Sequence, residues 1–74
     1  MNIGVHWKII DQPGRVIDLI EDELRDFTNC GVHRIETINA KHNYDAIYIV
    51  KGDIAAEDLI DACEYMDSMG AFPV

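Results

Sequence analysis

The residues Tyr44-Asp45-Ala46-Ile47-Tyr48-Ile49-Val50-Lys51 decide how the rest of the chain must be arranged. Their β-branched and aromatic content is that of a strand. Split by parity, Ile47 and Ile49 fall on one face and Tyr44, Ala46, Tyr48 and Val50 on the other. A strand apolar on both faces sits inside its sheet, with a neighbour on each side and a layer packed on at least one face. Residues 44–51 are therefore expected as an inner strand that the flanking segments must cover.

On the N-terminal side, Ile3, Val5, Trp7 and Ile9 alternate with Gly4, His6 and Lys8, the period of a half-buried strand. Asp11-Gln12-Pro13-Gly14 then opens a helix, with Asp11 or Gln12 near the cap and Pro13 supplying a fixed φ where no backbone donor is needed. Val16, Ile17, Ile20, Leu24 and Phe27 give that helix one apolar stripe. Asn29-Cys30-Gly31 ends it, because Asn and Gly tolerate the left-handed conformation. A second strand is expected over 32–39, where Val32, Ile35 and Ile38 do not share a parity, as in an edge strand or a bulged one. Residues 40–43 make a polar hairpin loop. Gly52-Asp53 closes the central strand, and Ile54, Leu59, Ala62, Cys63 and Met66 mark a second helix over about 55–68. The tail 70–74 reads as a frayed end or a very short last strand.

The order β-α-β-β-α, with right-handed crossovers, predicts an α+β fold of one domain spanning 1–74. Its expected form is a ferredoxin-like split βαβ plait, with both helices on one face of an antiparallel sheet. In this arrangement Ile47 and Ile49 face the helices with Ile3, Val5, Trp7 and Ile9, and the core is drawn from Trp7, Ile20, Leu24, Ile47, Ile49, Leu59 and Cys63. Tyr44, Ala46, Tyr48 and Val50 are left on the open face beside His6, Lys8 and Ile10. An open face carrying Tyr44 and Tyr48 calls for a partner, and a homodimer through it is the expected cover.

Composition narrows the function. At 74 residues only roughly 60% of the unfolded surface can be buried. With 49% hydrophobic residues the chain is globular, and 14 acidic against 6 basic side chains give a formal charge of -8. That sign opposes direct binding to nucleic acid or an anionic membrane and favours basic partners. The sequence has neither a run of 18 apolar residues nor a basic segment leading into an apolar stretch, so a cytoplasmic location is expected. Cys30 and Cys63 stand apart, with no Cys-x-x-Cys or Cys/His cluster beside them; both are expected reduced and buried. His6 and His33, with Glu36 near, are the one grouping able to suggest a metal or a general base. Histidines without ligand spacing more often make hydrogen bonds or lie at a surface, and neither metal nor cofactor is expected. No nucleophile stands beside a base and no glycine-rich loop could cradle phosphate, so the chain does not read as an enzyme.

Charge patterning is more telling. The first helix carries Asp18, Glu21, Asp22, Glu23 and Asp26, and the second Glu57, Asp58, Asp61, Glu64 and Asp67. Asp18, Asp22 and Asp26 stack at about 6 Å intervals, close to the spacing of phosphates along a strand. Acidic helical faces ordinarily keep a small protein soluble. The sharper expectation is a protein-binding inhibitor whose Asp18, Asp22, Asp26, Glu57, Asp61 and Glu64 imitate nucleic acid and block the basic surface of a nucleic-acid-binding protein. In size and charge alone the chain resembles small acidic phage inhibitors of host defence, anti-CRISPR proteins among them.

A second resemblance rests on three short motifs: Asp11-Gln12-Pro13-Gly14, Gly31-Val32-His33-Arg34-Ile35-Glu36-Thr37 and Gly70-Ala71-Phe72-Pro73. Together these resemble an ACT domain of the aromatic amino-acid-binding type attached to prephenate dehydratases. The resemblance implies a ferredoxin-like regulatory module that binds an amino acid at a dimer interface. It would place Gly14, Arg15, Val16, Glu36 and Thr37 at that site.

Overall fold

The computed structural model describes residues 2–29, 31–39 and 42–74, apart from the side chain of Ile3. The expectations placed on Ile3 and Cys30, and the part of the hairpin loop at 40–41, lie outside the described residues. The elements are β1 (Asn2–Gln12), α1 (Gly14–Thr28), β2 (Gly31–Ile38), β3 (Tyr44–Asp53), α2 (Ala56–Ser68) and β4 (Phe72–Pro73). The four strands form one antiparallel sheet in the order β2-β3-β1-β4, so β3 is an inner strand and β2 an outer one. Both helices pack on the same face, and α1, α2 and that face share one apolar core. The architecture is thus α+β and compatible with a ferredoxin-like fold.

The parity assigned to the central strand is inverted. Val5, Trp7 and Ile9 of β1 do turn towards the helices, but their partners are Val50, Tyr48 and Ala46, all buried. Ile47 and Ile49 instead lie opposite Lys8 and His6 and are half-buried on the face without helices. Period-two alternation could not choose, since both parities of β3 are apolar. The choice falls to the tyrosine hydroxyl, which a helix carbonyl satisfies: Tyr48 donates to the Ile17 oxygen at 3.1 Å. A ring buried with its hydroxyl paired gains its full apolar contribution at no polar cost. Tyr48 therefore belongs to the core and offers nothing to a partner, and Tyr44 is half-buried with its ring 3.4 Å from where a Cβ on Gly14 would stand.

Cys63 is a second correction, since it is exposed on α2. The buried stripe of that helix runs through Ala62 and Met66, with Leu59, Tyr65 and Met69 partly covered, and Cys63 is turned about 100° from Ala62. The Tyr65 ring meets Phe27 of α1 at 5.4 Å between centroids and ties the two helices together.

The helix ends show how the chain turns. Pro13 stands at the N-cap of α1 and Asn29 closes its C-terminus in the left-handed conformation (φ 48°), its N–H bonded to the Arg25 carbonyl. Thr28, buried in the last turn, satisfies its hydroxyl on the Leu24 carbonyl at 2.6 Å. At the end of α2, Gly70 N–H bonds to the Asp67 carbonyl and Ala71 N–H to that of Met66, the paired pattern of a Schellman turn. It needs a left-handed residue, and Gly70 supplies it with φ 79°. That turn brings Phe72 and Pro73 alongside Lys8 and Trp7.

Candidate acidic interface

Asp11, expected near the helix cap, does other work. It sits with φ 57° where the β1–β3 register shifts between Ile9 and Gln12. Its N–H donates to Asp45 Oδ1 at 2.8 Å, and its own Oδ1 accepts from Asn39 Nδ2 at 3.0 Å and Asn43 Nδ2 at 3.3 Å. The side chain thus fastens the end of β1 to the β2–β3 connection and is spent in doing so.

The acids of the helices lie on the side of the molecule away from the sheet. Asp18, Asp22 and Asp26 on α1 and Glu57, Asp58, Asp61, Glu64 and Asp67 on α2 are all exposed, and Glu21 and Glu23 are half-buried. The two helices differ in how that charge is met. Arg34 of β2, on the helix side of the sheet, holds Asp18 at 2.8 Å, Glu21 at 3.1 Å and Glu36 at 3.5 Å. The hydrogen bond that Arg34 donates to Asp18 and the charges of Glu21 and Glu36 raise the Arg34 pKa above its ordinary value, against the lowering effect of burial. Arg25 adds Glu21 at 3.1 Å and Asp22 at 4.0 Å. On α2, by contrast, no ion pair is formed by Glu57, Asp58, Asp61, Glu64 or Asp67 among the described residues. Ile60, 58% exposed, stands among these carboxylates.

Among the described residues, most of the formal excess of negative charge belongs to this layer. Among the described residues, the ten helical acids and Glu36 are opposed there by Arg15, Arg25 and Arg34, while Asp11, Asp45 and Asp53 lie elsewhere with Lys8 and Lys51. The acids are legible in the sequence, whereas Arg34, a strand residue that the sequence sets apart from them, reaches Asp18 and Glu21 of α1. An arginine on the helix side of an edge strand is legible only once the register is known.

The opposite face of the sheet carries Ile10, Ile35, Ile47, Ile49 and Phe72 with His6, Lys8, His33 and Lys51. A shallow depression of about 200 Å³ opens there between Lys8, Ile35, Thr37, Asp45 and Ile47. His6 and His33 do not meet, because both are in register with Ile49 and flank it from either side. They stand two strand spacings apart, roughly 9 to 10 Å between backbones. Glu36 is on the other face, paired with Arg34, and no group of three or more His, Cys, Asp or Glu able to hold a metal occurs among the described residues.

The residues implied by the ACT resemblance are likewise divided. Gly14, Arg15 and Val16 begin α1, and Glu36 is on the helix side of β2. Thr37 lines the depression on the far face. Among the described residues no helix is long and apolar enough to cross a membrane. No protein-family model, curated protein or solved structure matches the chain.

Proposed function

We propose that this chain is a ferredoxin-like split βαβ plait that acts in the cytoplasm by binding a protein, its acidic helical layer blocking a basic, nucleic-acid-binding surface of the partner. The fold reading draws support from the strand order: α1 joins β1 to β2 and α2 joins β3 to β4, and each pair of strands has one strand of the other pair between it.

The functional reading rests on one observation, the carboxylates of α2 that form no ion pair among the described residues. Glu57 and Asp58 in its first turn are favourable beside the helix N-terminus and need no further reason. Asp67 in the last turn faces the negative end of the helix dipole, where no basic residue lies, at a cost of about 0.3 to 1 kcal/mol. Solubility alone does not require acids at that end. A ridge of Glu57, Asp61, Glu64 and Asp67 around exposed Ile60 offers charge for long-range attraction and an apolar group to anchor the contact.

The test compares the wild-type chain with one carrying Glu57→Lys, Asp61→Lys and Glu64→Lys as baits in a host lysate. Capture of a protein that the reversals abolish and that added duplex DNA displaces is the expected result. Equal capture by both baits would overturn the reading. A melting temperature raised by free phenylalanine or tyrosine, and indifferent to the reversals, would replace it with an ACT-like amino-acid-binding module.

A further inference from the structure

β2 is the outer strand of the sheet, and among the described residues it pairs only with β3. Its far edge therefore presents backbone donors and acceptors to whatever strand can approach. Residues 32–38, Val-His-Arg-Ile-Glu-Thr-Ile, are self-complementary about Ile35. We propose that β2 pairs antiparallel with β2 of a second copy across a two-fold axis at Ile35, joining two four-stranded sheets into one of eight strands.

The side chains fit this register from end to end. A two-fold axis perpendicular to the sheet sets each residue opposite the one equally far beyond Ile35. On the helix side Val32 then lies opposite Ile38 of the second copy, and Arg34 opposite Glu36. On the other face His33 lies opposite Thr37, and Ile35 opposite itself. Apolar residues meet apolar residues, and opposite charges meet. Moving the axis by one residue, to Arg34 or Glu36, sets like charges directly across from each other, which is destabilising.

Exposure and charge within one copy agree. Ile35 is 48% and Ile38 61% exposed, large for β-branched side chains on a strand, and the pairing covers both. The guanidinium of Arg34 already serves three carboxylates, Asp18, Glu21 and Glu36. In the pair, each Glu36 gains the Arg34 of the other copy and lies between two guanidinium groups. Because the axis is perpendicular to the sheet, the helices of both copies stay on one side, and the acidic ridge of α2, at a distance from the seam, is untouched. The inference therefore stands or falls independently of the proposed function.

Sedimentation equilibrium of the full chain tests it. The expected result is a reversible monomer–dimer equilibrium whose dissociation constant rises about tenfold or more on Ile35→Lys, and likewise on Glu36→Arg, since each change sets like charges opposite and occurs at both ends of the symmetry. Both side chains are exposed, so the circular dichroism spectrum should be unchanged. Independently of any variant, amide exchange in β2 of the wild-type chain should slow as protein concentration rises. A chain that stays monomeric at millimolar concentration, or a dimer indifferent to both substitutions with β2 exchange unchanged, would overturn the proposal. A dimer lost only on Ile49→Lys would place the contact on the face without helices and equally overturn it.

Discussion

The hydroxyl of Tyr48, at the centre of β3, donates a 3.1 Å hydrogen bond to the carbonyl of Ile17 in the second turn of α1. The bond joins residues 31 apart in sequence and fixes which face of β3 the helix covers. Tyr48→Phe keeps the ring and removes the bond, so it should cost about 0.5 to 1.5 kcal/mol in urea denaturation. Burial raises the Tyr48 pKa well above the ordinary value of about 10. The unfolded chain therefore releases this proton first, and the stability tied to it is complete below about pH 10 and is lost as the pH rises further. Relative to its own stability at neutral pH, Tyr48→Phe should lose less on going to alkaline pH than the wild type. An identical alkaline decline in the two proteins would contradict the burial of this hydroxyl.

The two faces of β3 should respond differently to truncation. Val50 and Leu24 are fully buried, whereas Ile49 is half-exposed on the far face. Leu24→Ala should cost about 2 to 5 kcal/mol, much of the stability of so small a domain. Ile49→Ala removes more carbon than Val50→Ala, yet we expect Val50→Ala to be the more destabilising. The reverse ranking by chemical denaturation would restore the opposite register.

Arg34→Gln should expose the repulsion that the guanidinium now neutralises. Asp18, Glu21 and Glu36 would remain close together with their common cation gone. Because Asp18 is well exposed and solvent screens it, we expect a loss of about 1 to 3 kcal/mol, smaller than for a fully buried pair. Added salt should recover part of the loss, and a deficit independent of ionic strength would mean that Arg34 acts by packing alone.

Asp11 combines a left-handed backbone with a carboxylate that accepts two amide donors. Asp11→Ala loses both advantages and should cost about 1 to 2 kcal/mol, the scale of the left-handed penalty for an ordinary residue. Asp11→Asn keeps the tolerance for that conformation and one acceptor oxygen and should be milder. Equal losses for the two variants, measured in the same denaturation assay, would assign the effect to the carboxylate charge that both remove and not to the backbone conformation.

Which parts of this molecule are legible in its sequence follows from what each pattern determines. The alternation of Val5, Trp7 and Ile9 has one apolar parity, so β1 could be oriented from spacing alone. The outer position of β2 showed in its broken alternation, whose cause is now visible: Arg34 and Glu36 occupy helix-side positions where apolar residues would be expected. β3 is apolar on both parities, and its orientation depends on a hydrogen bond to a residue in another element, which spacing cannot express. Cys63 was misplaced because it borders the stripe of α2 by one residue. The acidic surface was legible residue by residue, but its unequal neutralisation was not, because Arg34 reaches α1 only through the fold.

The concentration of the charge excess of the described residues in the helical layer gives the molecule a permanent electric moment perpendicular to its sheet. Its shorter dimensions are 20 Å, while screening at about 0.1 M salt acts over roughly 10 Å, so the two sides are sensed separately by anything close to the surface. The chain should therefore settle on a cationic support in one orientation, helices down and sheet outward. Its retention there should exceed that of a protein with the same isoelectric point and evenly spread charge. Immobilised in that way, it would hide the acidic ridge and display the strands, so a surface-based binding assay must attach it through the sheet to leave the helices free.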